Sequence, residues 1–426
     1  MKRKIPVFCL ILSAFLNLSV MAAPSVSAPR AILMDAKTGL VLYEKNADET
    51  AYPASTTKLM TAILALEKGN MDDVVTVSWE AVNTISYDSS KAGLFEGESF
   101  SFRDMVYSLM VCSANDAANV IAEHIAGDIS SFVELMNTRA KELGAENTHF
   151  VNAHGLHDEA HYTTAHDLAV LARHALSLPH FAEIVRTRSY ILEPTDKYEE
   201  KRYLNSTNHL LNPQSQYYYQ NAIGIKTGYT DNAKSCLISA AEAGDARYIA
   251  VVLGAESIDG QTMSFVDSRT LLSYGVESCP PVVLSEEKTE VEPIPVRKGK
   301  GTDAVRAHTA ETVKAVLPSG AAASEVEKLE YIKTELEAPV EAGQVIGKVE
   351  YKYQDMLVGE TYLLAAEAVQ KRSLIGSLFV KLFTSFWTWG VILIVLVVFT
   401  VSKTSKARAR NMRRRQAEIR RRNKYQ

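Results

Sequence analysis

An uncharged apolar segment at residues 382–402 constrains this 426-residue chain more than any other feature. At the α-helical rise of about 1.5 Å per residue, a segment of this length covers about 30 Å, the thickness of a bilayer's hydrocarbon core. Its run Val391–Val398 contains only aliphatic side chains, and Trp387 and Trp389 lie near its N-terminal edge. Because indole rings favour the membrane interface, the segment predicts a transmembrane anchor.

The residues that follow the anchor are strongly basic. Residues 403–426 contain three lysines, eight arginines and a single acid, Glu418, which gives a net charge of about +10. Basic flanks of membrane spans remain in the cytoplasm, so we expect a cytoplasmic tail. A nucleic-acid-binding tail is the alternative interpretation of the arginines, but their position directly behind a membrane span disfavours it.

The N-terminal residues predict export. Three cations at 2–4 precede an uncharged apolar run over 5–20, and small residues follow. This order is typical of a secretory signal peptide, whereas a buried N-terminal helix would keep a polar face and would rarely start with three cations. We predict a signal peptide at 1–28, with cleavage after Ala23 or Ala28, and therefore a single-pass protein whose main part is extracytoplasmic.

Charge and cysteine content exclude several classes of protein. Removing the tail (+10) and the N-terminal cations (+3) from the total of −4 leaves residues 5–402 at −17, which makes them poor partners for nucleic acid. Three cysteines outside the signal peptide permit at most one disulfide and no disulfide framework. Cys112 and Cys236 adjoin apolar residues, so we expect both to be core residues.

The part of the chain from Ala31 to Gly275 mixes strand and helix patterns. The strand patterns cover 31–34, 40–43, 236–240 and 248–253, and the helix patterns cover 55–68, 102–126 and 164–178. Strands at both ends of a helical middle predict an α+β fold with three layers, in which one antiparallel sheet packs between helices. We place this domain at 29–278.

Composition changes after Pro280 and Pro281. Short alternating patterns follow, including 336–340 and 345–351, with turn residues between them. These patterns predict a small all-β domain over 279–369.

Ser55 and Lys58 stand three residues apart at the start of a helix pattern. A serine hydroxyl is a weak nucleophile until a base accepts its proton, and a lysine can serve as that base when desolvation or nearby cations lower its pKa. A helix N-terminus also directs free backbone N–H groups toward a developing oxyanion. The pair therefore indicates nucleophilic catalysis.

Single motifs decide little in this sequence, because each occurs twice. Ser-x-x-Lys recurs at 285–288, Lys-Thr-Gly occurs at 37–39 and at 226–228, and Ser-x-Asn occurs at 113–115 and at 206–208. The order of the motifs is more specific than any one of them. Ser55-x-x-Lys58, then Ser113-Ala-Asn115 in a helical stretch over 109–120, then Lys226-Thr-Gly228 on a strand resembles the trio of penicillin-binding proteins and class A β-lactamases.

The sequence around the motifs makes the resemblance narrower. The segments 33–42, 52–61, 152–156 and 224–230 resemble those of the low-molecular-mass D-alanyl-D-alanine carboxypeptidases, and the similarity extends from Pro29 to the β domain. Membership of that family implies removal of the terminal D-alanine from peptidoglycan stem peptides, inhibition by β-lactams and no cofactor.

The resemblance also implies catalytic roles. Ser55 would form the acyl-enzyme, Lys58 would deprotonate Ser55, and Ser113 would relay protons to the leaving group.

The remaining positions would bind substrate. Asn115 would hold the substrate amide, Lys226 would support the charge near Ser113, and Thr227 would bind the terminal carboxylate, with Gly228 completing the motif. The backbone N–H groups of Ser55 and Tyr229 would form the oxyanion hole. Several relatives also use an arginine beyond the last strand for the carboxylate, but residues 254–264 contain none, and Arg269 is out of step. That role stays unassigned.

Other interpretations remain. A β-lactamase would share the motifs, but that class resembles Ser-Asp-Asn where this chain has Ser113-Ala-Asn115, and it adds a loop glutamate. An endopeptidase acting on peptidoglycan cross-links would use the same nucleophile, and a catalytically silent wall-binding protein is a further alternative. Histidines at 149, 154, 157, 161 and 166 suggest a metal, but loop residues surround them, and we expect no metal site.

Overall fold

The computed structural model describes residues 23–372 and 385–423. Most of the predicted signal peptide and the first residues of the predicted anchor, 382–384, lie outside these ranges. The chain forms two compact units. The first contains the described residues up to Ser285 together with Thr312–Leu329 and Glu350–Glu360, and the second contains the rest.

The elements of the first unit alternate between strands and helices. They are β1 (Arg30–Asp35), β2 (Val41–Lys45), α1 (Lys58–Lys68), β3 (Val74–Thr76), α2 (Trp79–Asn83), β4 (Ser99–Ser101), α3 (Phe102–Val111), α4 (Asn115–Ala126), α5 (Ile129–Glu142), α6 (Ala165–Ala175), α7 (Phe181–Arg186), β5 (Ser189–Leu192), β6 (Arg202–Asn205), β7 (Ala222–Thr230), β8 (Lys234–Ala243), β9 (Ala246–Ala255), β10 (Ser257–Ile258), β11 (Gln261–Thr262), α8 (Met263–Ser278) and β12 (Pro281–Ser285).

A five-stranded antiparallel sheet in the order β2-β1-β9-β8-β7 organises this unit. Ile32, Val251 and Ile238 form one row across β1, β9 and β8, and all three belong to the core shared with the helices α1, α3, α4 and α6. The alternate residues face the other way, since Tyr248 and Leu33 lie against Gly275 of α8. Helices therefore cover both faces of the sheet, and the mixed α/β character expected from the sequence is present.

The predicted helix over 102–126 is wrong as a single element. It divides into α3 and α4, and Ser113 between them has a left-handed φ of +64°. The Asp116 carboxylate accepts hydrogen bonds from the backbone N–H groups of Ala92, Gly93 and Leu94, so a neighbouring loop fixes the start of α4. The Ser-x-Asn motif consequently lies at a break between helices and not within a helical stretch.

A smaller difference concerns Ser55. The residues Ala54–Thr57 form a 3-10 turn, and α1 begins only at Lys58. The whole first part of α1, from Lys58 to Ala65, is buried. The predicted helix over 55–68 is therefore confirmed in place, with its first turn wound more tightly.

The second unit contains sheets, as the sequence indicates. The remaining strands of the chain are β13 (Glu290–Arg297), β14 (Ala304–Thr309), β15 (Val313–Val316), β16 (Glu327–Ile332), β17 (Leu336–Glu337), β18 (Val345–Tyr353) and β19 (Met356–Ala365). Within the second unit, β13 pairs antiparallel with β14 and parallel with β17, and Ala307 of β14 pairs with Ala365 of β19. The domain boundaries at 278 and 369 stay predictions.

The last element is the long helix α9 (Phe386–Arg422). Its part from Trp387 onward is apolar enough and long enough to cross a membrane. The aliphatic side chains of the run Val391–Val398 are all exposed.

A buried ion pair holds the segment before β4 to β6. The Glu98 side chain is 0% exposed and the Arg202 side chain 8% exposed, with 2.7 Å between Oε1 and Nη2. The guanidinium also lies over the rings of Phe95, Phe100 and Tyr198. Since both charges are desolvated, each depends on the other.

Glu98→Gln should destabilise the first unit by about 3 kcal/mol, because it leaves the buried Arg202 charge uncompensated. Urea unfolding of a chain covering residues 23–372 measures this loss. Lys201→Gln is the matched control, since its partner Glu193 and the lysine are both exposed and such pairs contribute less than about 1 kcal/mol. Equal effects of the two substitutions would contradict the prediction.

Candidate active site

The serine and the lysine of the first motif are in hydrogen-bonding contact. Lys58 Nζ lies 2.9 Å from Ser55 Oγ, because the 3-10 turn and the first turn of α1 place both side chains on one face. The Lys58 Nζ also donates a hydrogen bond to the backbone carbonyl of His154, at 2.7 Å. The Lys58 side chain therefore has a fixed position beside the hydroxyl.

Burial controls the charge of Lys58, which is 0% exposed. Desolvation lowers its pKa well below the ordinary value for lysine, and the charge of Lys226 lowers it further. A lysine with a depressed pKa is available as an uncharged base near neutral pH.

The second and third motifs also meet. Lys226 Nζ on β7 donates hydrogen bonds to Ser113 Oγ and to the backbone carbonyl of Thr227, both at 2.9 Å. Burial lowers the pKa of Lys226 to about 7. The left-handed backbone of Ser113 at the break between α3 and α4 presents its hydroxyl to this lysine.

Strand β7 lies directly against the turn that carries Ser55. A Cβ at Gly228 would stand 2.9 Å from the backbone nitrogen of Ser55, so glycine at this position leaves that N–H open to the cleft. Gly155 is similarly close on the other side of the turn, where a Cβ would stand 1.9 Å from the carbonyl oxygen of Ala54. Tyr229 follows on β7, with its side chain 64% exposed and its hydroxyl donating to Asp231.

These groups line one open cavity of about 720 Å³. Of the site residues expected from the sequence, Ser55, Ser113, Asn115, Thr227, Gly228 and Tyr229 line it. Lys58 and Lys226 lie behind the wall and contact the cavity through the two serines. The buried Asn115 Oδ1 has no hydrogen-bond partner within the described residues, so it is available to a substrate amide.

Sequence reasoning missed part of the cavity wall. Thr207, His209 and Phe265 also line it. The only sequence signal for Thr207 was the second Ser-x-Asn match, at 206–208. Arg269 is engaged elsewhere, with Nη1 donating to the carbonyl of Gln216 at 2.9 Å.

The histidines in the loop after α5 have protein partners. His161 Nε2 is 2.8 Å from Thr57 Oγ1, and His157 Nε2 is 3.0 Å from Asn232 Nδ2. Burial lowers the pKa of His154 to about 3 and that of His161 to about 4, so both are neutral at physiological pH. Across residues 23–372 and 385–423, no group of three potential ligands could hold a metal ion.

Comparison with known proteins identifies the family. Residues 18–257 match the D-alanyl-D-alanine carboxypeptidase family of serine peptidases, and residues 282–371 match the C-terminal domain of penicillin-binding protein 5. The D-alanyl-D-alanine carboxypeptidase DacF of Bacillus subtilis is 34% identical over 85% of this chain and 90% of its own length. DacC of Escherichia coli is 30% identical over 88% of this chain and 93% of its own length.

Solved structures agree with the sequence relatives. Penicillin-binding protein 5 of Haemophilus influenzae is 30% identical, with a TM-score of 0.63 over 82% of this chain and 99% of that one. The Streptomyces K15 DD-transpeptidase is 32% identical, with a TM-score of 0.54 over 59% of this chain and 98% of that one. The chain therefore belongs to the D-alanyl-D-alanine carboxypeptidase family, and it is a serine-type hydrolase with that activity. The family resemblance inferred from the ordered motifs is confirmed.

Acylation by penicillin should fall as the pH is lowered, because protonation of Lys58 removes the base. Lys226→Met should shift this acid limb to higher pH: removal of a neighbouring cation raises the pKa of Lys58, so protonation begins earlier on acidification. Stopped-flow acylation rates from pH 4 to pH 9 measure the limb for both proteins. A limb that stays in place or moves to lower pH would show that the two lysines do not interact electrostatically.

Proposed function

We propose that Ser55 attacks the carbonyl carbon of the terminal D-Ala-D-Ala bond in peptidoglycan stem pentapeptides. The 2.9 Å contact between Ser55 Oγ and the desolvated Lys58 Nζ carries this proposal. As the Oγ–C bond forms, the hydroxyl proton passes to Lys58. The carbonyl oxygen, now negatively charged, lies in an oxyanion hole formed by the backbone N–H groups of Ser55 and Tyr229.

Collapse of this intermediate breaks the C–N bond and releases D-alanine. The departing amine needs a proton, which Ser113 relays to it. Lys226, in contact with Ser113 Oγ, supports that transfer. Water then attacks the acyl-enzyme, so that the hydroxyl of Ser55 is restored and the shortened peptide leaves.

The remaining groups orient the substrate. The free Oδ1 of Asn115 accepts a hydrogen bond from the substrate amide, and Thr227 binds the terminal carboxylate. A penicillin places its strained amide where the D-Ala-D-Ala bond would lie, and it acylates Ser55 in the same way.

We propose further that α9 crosses the membrane, with the first unit outside and the basic end in the cytoplasm. The exposed apolar half of α9 and the arginines that follow it support this arrangement.

Signal-peptide cleavage after Ala23 fits the first unit better than cleavage after Ala28. The backbone N–H groups of Ser27 and Ala28 donate to the Asp267 carboxylate, and the carbonyl of Val26 accepts from Lys45 Nζ. Cleavage after Ala23 keeps these contacts in the mature protein.

Wild-type protein should release D-alanine from peptides ending in D-Ala-D-Ala and should be labelled covalently by fluorescent penicillin. Ser55→Ala should abolish both, and Lys58→Ala should reduce acylation by about 10²–10⁴-fold, the usual contribution of a positioned base. Gel fluorescence and mass spectrometry of muropeptide products measure these effects. Covalent labelling of Ser55→Ala would refute the nucleophile, and products consisting only of cleaved cross-links would indicate an endopeptidase.

Protease added to intact spheroplasts should digest the first unit and spare an epitope tag placed after residue 426. Moving about ten positive charges outward would oppose the positive-inside bias and a membrane potential that costs about 2.3 kcal/mol per charge at 100 mV. Permeabilised spheroplasts provide the control, because both segments should then be digested. Equal digestion of tag and first unit in intact cells would exclude a spanning helix.

A further inference from the structure

The second Ser-x-Asn match, Ser206-Thr207-Asn208, lies at the active-site cavity. It directly follows β6, and the backbone N–H of Thr207 donates to the carbonyl of Val111 at the end of α3, at 3.2 Å. Asn208 Oδ1 then accepts from the backbone N–H of Leu210 at 3.0 Å and caps a short 3-10 turn. The backbone on both sides of the Thr207 side chain is thus held in place.

The Thr207 side chain contacts the third motif. Its Oγ1 shares a hydrogen bond with Oγ1 of Thr227, and both residues line the cavity. In a pair of hydroxyl groups, one donates to the other and the second proton remains available. A carboxylate has two oxygens that accept hydrogen bonds, so two adjacent hydroxyls can each donate to one of them.

Charge in the cavity wall leaves this pair without a cationic competitor. Among the lining residues that the structure describes there is no lysine or arginine, and the single acid is Asp88. The Lys226 ammonium is directed to Ser113 Oγ and to a backbone carbonyl. His209 is the other lining residue able to carry positive charge, and its ring is in edge contact with Phe265 and Tyr217.

We infer that Thr207 and Thr227 form a neutral two-hydroxyl site for the terminal carboxylate of the substrate. Thr207 is thereby a specificity-determining residue: it selects peptides with a free C-terminal carboxylate without an arginine. The inference rests on the proposed function, since it places the carboxylate of the leaving D-alanine beside Thr227.

Two substitutions separate the hydroxyl from the shape of the side chain. Thr207→Val keeps the branched shape and removes the hydroxyl, whereas Thr207→Ser keeps the hydroxyl and removes the methyl group. Full-length enzyme in detergent is assayed on a diacetylated Lys-D-Ala-D-Ala peptide and on the same peptide with a C-terminal carboxamide. Release of the C-terminal residue gives kcat and KM for each.

Thr207→Val should lower kcat/KM for the free acid by about 10- to 100-fold, mostly through KM, because a hydrogen bond to a charged group is lost. The value for the carboxamide should change much less, so the preference for the acid collapses. Thr207→Ser should retain the preference. Because the site is neutral, KM for the acid should also stay nearly constant between 0.05 and 0.5 M NaCl.

Three results would overturn the inference. They are an unchanged acid preference in Thr207→Val, a loss in Thr207→Ser equal to that in Thr207→Val, and a collapse of the preference in His209→Gln with none in Thr207→Val. Failure of the proposed function is recognised separately. In that case wild-type protein releases no D-alanine, or Ser55→Ala still reacts covalently with penicillin.

Discussion

The desolvation of two lysine side chains is the constraint on which this molecule depends. Lys58 and Lys226 are almost completely excluded from water, at 0% and 1% exposure. An ammonium group in such surroundings is costly, and the cost is expressed as the depressed pKa values that make these groups useful for proton transfer. Burying them requires a helix and a strand that are themselves fully covered, which α1 and β7 are. The large core around α1 is therefore a condition of the chemistry as well as of stability.

Strained backbone at the site follows from the same requirement. Ala54 and Ser113 have positive φ angles of 47° and 64°, which cost free energy for residues other than glycine. Each angle lies at a point where a helical turn must start abruptly so that a hydroxyl, of Ser55 or of Ser113, meets a buried lysine. The surrounding contacts, including the three backbone N–H groups bound by Asp116, hold these conformations.

The sequence predicted the parts of the structure that have local signals. The hairpin of β8 and β9, the strands β1 and β2, and the helix after Ser55 follow from periodicity, and the family follows from the order of three motifs. The break at Ser113 was missed because the apolar periodicity continues through it, while its cause is a loop more than twenty residues earlier in the chain. Thr207 was missed as a cavity residue for a related reason: its position depends on contacts with Val111 and Thr227, which no local pattern encodes.

Electrostatics at two length scales explains how an acidic protein can act on an anionic peptide terminus. Residues 5–402 carry a formal charge of −17, but at physiological ionic strength charges separated by more than about 8 Å are largely screened. Inside the cavity the contacts are hydrogen bonds of about 3 Å, in surroundings where dipoles act more strongly than in water. A carboxylate is therefore selected by the hydroxyl and N–H groups it touches and not by the charge of the whole domain. The buried Lys226, held by Ser113 and by the Thr227 carbonyl, sets the orientation of the strand that presents those groups.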